Sequence, residues 1–201
     1  MASPYVIGLT GSIGMGKSET ARLFAAEGVP VHDSDATIHR LYAKGGAAVE
    51  KIAALFPAAI VDGAVDRQIL AALAAQDPSA LKRLEALMHP LVAEDRDRFL
   101  KANADAPMVV LDIPLLFETG AETGMDAVVV ASAPLETQAQ RVLDRPGMTE
   151  EKFHALLARQ LPDAEKRAKA HFVVVTDQGI AHARDQVRMI LATIRDRLER
   201  K

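Results

Sequence analysis

The run Gly11-Ser12-Ile13-Gly14-Met15-Gly16-Lys17-Ser18 meets the pattern G-x-x-x-x-G-K-[ST] at every fixed position. It follows an apolar stretch, Tyr5 to Thr10, and leads into a segment where Ala21, Leu23 and Phe24 recur at helical spacing. A strand that turns through glycines into a helix gathers successive backbone N–H groups at the positive end of the helix dipole, an arrangement suited to phosphate. Lys17 carries a mobile positive charge to the terminal phosphates. The Ser18 hydroxyl suits Mg²⁺, which keeps most of its water and bridges phosphate oxygens. Residues Gly11 to Ser18, with Glu19 one step into the helix, are therefore expected to hold a nucleoside triphosphate and Mg²⁺.

Four further β-rich runs stand out: Val29 to His32, Met108 to Asp112, Ala127 to Ala131 and Phe172 to Thr176. Nearly continuous Val, Ile and Leu marks strands buried on both faces, and helical patterns separate them. The expected architecture is α/β, a doubly wound parallel sheet of about five strands of the P-loop NTPase type. Some 75 residues between the second and third runs show no strand signal, too many for one crossover helix, so residues 37–106 read as an inserted helical substrate-binding subdomain. Its clearest helix begins at Asp77-Pro78, carries Leu81, Leu84, Leu87 and Met88 on one face, and should bend or break at Pro90. Residues 1–36 and 107–201 would form the core of a single 1–201 kinase-type domain, with a helical lid at about 138–168. The helical stretch Leu135 to Lys169 is interrupted at Arg145-Pro146-Gly147 and restarts at Thr149, a good N-cap; a final helix runs from Ile180 to about Leu198.

Composition agrees with one globular domain. Of 201 residues, 49% are apolar and 25% charged, with 24 basic against 27 acidic side chains. That balance lacks the basic excess of a nucleic-acid binder, and no apolar run approaches the length of a membrane span. There is no cysteine, hence no disulfide, thiolate metal site or cysteine nucleophile, which fits a reducing compartment. The first basic residue is Lys17, so no charged leader is read and the expected location is cytoplasmic. Oligomeric state is not legible at this level.

A guanine-specificity motif of the Asn-Lys-x-Asp type is missing, and Asp144-Arg145-Pro146-Gly147 reads as a turn at a helix end. A small-molecule kinase needs an acid near the acceptor hydroxyl, a carboxylate at a neighbouring strand end and arginines over the transferring phosphoryl group. Asp33 and Asp35 follow the second strand, although either could simply cap the next helix. Asp112 ends the third strand at the position of a metal-directed acid. Arg141 and Arg145 lie one helical turn apart, with Arg159, Lys166 and Arg167 further on; a charged face is otherwise just solvated. His39, His154 and His182 read as surface residues with no metal cluster.

Four segments together resemble the dephospho-coenzyme A kinase family over nearly the whole chain: Leu9 to Ser18, Asp33-Ser34-Asp35, His89-Pro90, and Leu111-Asp112-Ile113-Pro114-Leu115-Leu116-Phe117-Glu118. The Pro-Leu-Leu-Phe-Glu segment is the specific part, because many families share the glycine loop. The resemblance implies ATP as phosphate donor, Mg²⁺ held by Ser18 and Asp112, and the ribose 3′-hydroxyl of dephospho-CoA as acceptor. It implies Asp33 facing that hydroxyl, Arg141 and Arg145 as lid cations beside Lys17, and His89, Pro114, Leu115 and Leu116 among the substrate contacts. Met15 and Glu19 depart from the usual loop residues, and Ala170-His171 and Thr176-Asp177 from the usual Ala-Asp and Asn around the last strand. The loop, Asp33 and lid alone also fit another small-molecule kinase acting on nucleotides or nucleosides; the insertion and Pro114 to Glu118 separate the two.

Overall fold

The structure, a computed structural model, describes residues 3–200, so the first two residues of the expected core and its last lie outside the described residues. In chain order the elements are β1 (Tyr5–Thr10), α1 (Lys17–Ala26), β2 (Val31–Asp33), α2 (Ser34–Tyr42), α3 (Val49–Leu55), β3 (Ile60–Val61), β4 (Ala64–Val65), α4 (Arg67–Gln76) and α5 (Pro78–Ala102). Then come β5 (Met108–Asp112), β6 (Ala127–Ser132), α6 (Leu135–Leu143), α7 (Glu150–Leu157), α8 (Asp163–Lys169), β7 (Phe172–Val175) and α9 (Ile180–Glu199). Two compact units result: one takes the chain up to His32 and from Asn103 onward, the other is Asp33–Ala102.

The first unit is built on a five-stranded sheet of order β2-β5-β1-β6-β7. Its described registers are parallel, with Tyr5 opposite Met108, Ile7 opposite Ala127 and Val129 opposite Phe172. Side chains alternate across the pleat. Ile7, Leu9, Met108, Val110 and Val129 point to one face and pack on Leu23 and Phe24 of α1 and on Val187, Ile190, Leu191 and Ile194 of α9. Val128 and Val130 point to the other and cover Leu116. Truncating Ile7 or Leu9, both fully buried, to alanine should cost about 2–5 kcal/mol. Since β1 lies between β5 and β6, the loop leaving it opens where connections diverge to the two sides of the sheet, the usual ligand crevice of open α/β folds.

The second unit is mainly helical, around Leu41, Ile52, Phe56, Leu70, Met88 and Leu91. Three expectations need correction here. A short antiparallel hairpin pairs Ile60 with Val65 and Val61 with Ala64, although no strand was expected between the second and third runs. Its turn, Asp62-Gly63, has positive φ at both residues (51° and 81°), the Asp-Gly signature of a two-residue hairpin, but strands of two residues are too short to show alternation. Helix α5, 25 residues long, contains Pro90 and is not broken there, so only the break in the expected bend or break is overturned. Proline removes one N–H, a cost of about 3 kcal/mol, and burial of Met88 and Leu91 on either side offsets it. Leu81 is 48% exposed, and Ala80 and Leu91 take the buried positions. In the lid stretch, Thr149 caps α7 by accepting from Lys152 N–H, as expected, but a second break at Pro162 separates α7 from α8.

Candidate active site

The glycine loop is held from several sides. Gly14 and Gly16 have φ of 78° and 85°, and a side chain at Gly14 would sit 2.6 Å from Val142 Cγ2 and 2.9 Å from the Gln138 carbonyl oxygen. Ser12 C=O accepts from Met15 N–H at 3.1 Å, closing the turn. Met15, large where a small residue is usual, is buried, and its Sδ accepts from Ala133 N–H at 3.1 Å. The peptide groups around Ile13 are gripped by two glutamines: Gln138 Nε2 donates to Ile13 C=O (2.8 Å), and Ile13 N–H donates to Gln160 Oε1 (3.0 Å).

Lys17 Nζ donates to Asp112 Oδ1 at 2.5 Å, with side-chain exposures of 13% and 4%. The acid at the end of β5 thus anchors the loop lysine on the adjacent strand, so a buried carboxylate and a cation are both satisfied. Ser18 is exposed in the first turn of α1, and no protein hydrogen bond to its hydroxyl is described. An exposed hydroxyl next in sequence to the lysine that meets a strand-end carboxylate fits Mg²⁺, which needs only one or two protein ligands when phosphate and water complete its shell. Among the described residues no group of three or more His, Cys, Asp or Glu could hold a metal by itself.

Arg141 is not a mobile cation here. Its Nη1 donates to Gly14 C=O (3.3 Å) and Thr176 Oγ1 (2.9 Å), and its Nη2 to Thr176 C=O (2.7 Å). Thr176 Oγ1 in turn donates to Met15 C=O at 2.9 Å. Arg145 lies exposed in the turn after α6, and Arg159 is exposed near the end of α7. Lys166, expected on a charged face, is fully buried, with Nζ 2.9 Å from Glu118 Oε1. Leu161 N–H donates to the same oxygen at 2.7 Å. Burial raises the Glu118 pKa, but the Lys166 ammonium and the Leu161 N–H outweigh it and hold the carboxyl below the usual carboxylate range.

A family model for dephospho-CoA kinase matches residues 5–182. The chain belongs to the dephospho-CoA kinase family. It is 58% identical to a dephospho-CoA kinase of Cereibacter sphaeroides over 96% of this chain and 97% of the relative. It is also similar to the crystal structure of TT1252 from Thermus thermophilus, at 38% identity and a TM-score of 0.84, over 95% of this chain and 98% of the other. A dephospho-CoA kinase from Campylobacter jejuni, 21% identical with a TM-score of 0.65 over 95% and 97% of the two chains, shares the fold.

Within the second unit, Asp33 accepts from Ala36 N–H through Oδ1 (2.9 Å) and caps α2. The carboxylate is exposed, so capping leaves it open to another partner. Thr37 Oγ1 fixes that first turn by donating to Asp95 Oδ2 (2.8 Å), while Arg40 Nη2 donates to the same oxygen (2.9 Å). Asp35 and His89 are exposed. Of the Pro-Leu-Leu segment, Leu115 is 39% exposed, but Leu116 is wholly enclosed against Val128 and Val130. Its hydrophobicity builds the sheet face, which corrects its placement among the substrate contacts.

Gln138, Gln160, Thr176 and Glu118 carry no motif pattern that singles them out as supports of the family's phosphate loop. Each acts through contacts remote in sequence. Only Glu118, at the end of the segment specific to the family, and Thr176, at a departure from its pattern, had any signal.

Proposed function

We propose that this chain transfers the γ-phosphoryl group of ATP to the ribose 3′-hydroxyl of dephospho-CoA, giving coenzyme A and ADP. The observation that carries the reading is the buttressed glycine loop with Lys17 set on Asp112, in a chain that matches the dephospho-CoA kinase family over residues 5–182. The acceptor oxygen forms a bond to γ-phosphorus as the bond to the bridging β–γ oxygen breaks; the hydroxyl proton leaves toward Asp33 or solvent. The transition state is loose, so positioning and charge stabilisation outweigh proton removal.

N–H groups of the stretch Gly11 to Glu19 cradle the phosphates, and Lys17 neutralises charge that grows on the transferring group. Ser18 would hold Mg²⁺, with Asp112 supplying carboxylate charge, and the ion would offset the charge of the phosphates. Asp33 orients the acceptor hydroxyl, Arg145 supplies the lid cation, and Arg141 supports the loop that binds ATP. His89, Pro114 and Leu115 contribute to holding dephospho-CoA. Among the described residues no helix is long and apolar enough to cross a membrane, and the lack of cysteine suits work in the cytoplasm on small molecules.

ATP consumption measured in parallel with dephospho-CoA, AMP, CMP and nucleosides tests this. Turnover should be greatest with dephospho-CoA and should require Mg²⁺. Equal or faster turnover with AMP or a nucleoside overturns the assignment in favour of a nucleotide or nucleoside kinase.

A further inference from the structure

The phosphate loop is tied to the family-specific segment through Gln160, Leu161 and α8. Pro114 to Glu118 is pinned to the sheet: Pro114 C=O accepts from Thr10 Oγ1 (3.1 Å), and Leu116 is fully buried. At its end, Glu118 Oε1 meets Lys166 Nζ (2.9 Å) and accepts from Leu161 N–H (2.7 Å). Lys166 is fully buried, and its ammonium, though in ion-pair range of Glu118, makes no directed hydrogen bond among the described residues. Its one-sided satisfaction makes the Glu118 charge indispensable to docking α8. On the same helix, Asp163 Oδ2 accepts from Ser132 Oγ at the end of β6 (2.8 Å), a second fastening. The residue before Leu161 is Gln160, whose Oε1 accepts from Ile13 N–H.

We infer that Gln160 is a positioning residue for phosphoryl transfer, and that Glu118 and Lys166 hold it against the Ile13 peptide. The reasoning rests on the kinase reading above and adds a device to it. A phosphate loop stabilises developing charge only if its N–H groups are already aimed when the reaction begins. Gln138 holds the carbonyl of Ile13 and Gln160 its N–H, so the peptide groups on both sides of Ile13 keep one orientation as the loop enters Gly14. Without Gln160 the Ser12–Ile13 peptide keeps only the bond from Met15 N–H to its carbonyl, and its N–H is no longer fixed in direction. ATP can still bind through the remaining loop, so the loss falls on kcat rather than on KM. Glu118 touches neither nucleotide nor acceptor in this scheme; its effect passes through Leu161 and Gln160.

Two readouts on the full chain test this. Amide exchange at Ile13, followed by NMR without nucleotide, reads the hydrogen bond independently of any turnover. Gln160→Met, of similar length but without the acceptor, should expose the Ile13 amide and lower kcat about tenfold, leaving KM for dephospho-CoA within about twofold. Glu118→Gln keeps an acceptor for Leu161 N–H but strands the Lys166 charge, so it should lower both Tm and kcat. Adding Lys166→Met removes that charge and should bring kcat back to within about threefold of the parent and restore Ile13 protection. Unchanged Ile13 exchange in Gln160→Met overturns the inference whatever the acceptor proves to be. So does a double variant no better than Glu118→Gln. A parent protein inactive on dephospho-CoA, with Ile13 exchange responding as expected, would instead sink the kinase reading and leave the positioning contact standing.

Discussion

Replacing Lys17 should cost stability as well as catalysis. Its ammonium lies 2.5 Å from Asp112 Oδ1, and that carboxylate is 4% exposed at the end of a central strand. At an effective dielectric of about 20, two unit charges this close attract by about 7 kcal/mol, an upper bound because both are partly stripped of water. Removing one partner of a buried pair costs about 3–5 kcal/mol, since the other charge stays behind uncompensated. Lys17 retains 13% exposure and Asp112 has further interactions, so the lower end applies, about 3 kcal/mol. For a chain of this size each kcal/mol moves Tm by about 2–4 °C, so Lys17→Met should melt about 6–12 °C below the parent. Asp112→Asn added to it removes the stranded charge and should recover most of the loss, leaving turnover abolished. The assay is thermal unfolding by circular dichroism without nucleotide or Mg²⁺, because ligand binding would itself shift Tm. A Lys17→Met melt within about 2 °C of the parent would falsify the reasoning and show that Asp112 is satisfied without the lysine.

Asp33→Asn keeps the cap of α2, so Tm should hold, while turnover at saturating ATP should fall about 10²- to 10⁴-fold; a loss under about threefold leaves Asp33 a cap and no more. His171 Nδ1 accepts from Val128 N–H at 3.0 Å, an acceptor role that aspartate can share, so His171→Asp should melt close to the parent and His171→Ala lose about 1 kcal/mol in chemical denaturation. Glu118, with its pKa depressed, contributes stability fully present above the unfolded value of about 4.3 and lost as pH falls through the lower folded value; Glu118→Gln should flatten that part of the acid unfolding curve, and an unchanged slope would deny the pair its linkage role.

The strands and the loop were legible because both are local patterns. Val109, Val110 and Leu111 are buried on both faces of a parallel sheet and read as an apolar run whatever lies around them. The glycines at 14 and 16 are dictated by backbone angles and by Val142 and Thr176 pressing on the loop, so the motif pattern already contains the crowding. The hairpin at Asp62-Gly63 had a turn signal but strands too short for any period. Of the bend or break expected at Pro90 the break does not occur, because the propensity cost of one residue is offset by the burial around it.

The arginines show where spacing stops being informative. Arg141 and Arg145 are four residues apart, and helical periodicity alone makes them equivalent neighbours on one face. The structure ends α6 at Leu143, so Arg145 leaves the helix and stays exposed, while Arg141 turns back onto Gly14 and Thr176. Guanidinium has five donors in a planar fork, and Arg141 uses three of them, on a loop carbonyl, a hydroxyl and a second carbonyl. A lysine there could not span the three acceptors in one plane. Arg141 therefore braces the loop from one side as Gln160 does from the other, and in the proposed mechanism the moving cation is an arginine exposed in the resting fold. Arg145 and Arg159 are both exposed; Arg145→Ala should lower kcat more than Arg159→Ala, and the reverse order would move the proposed lid role to Arg159.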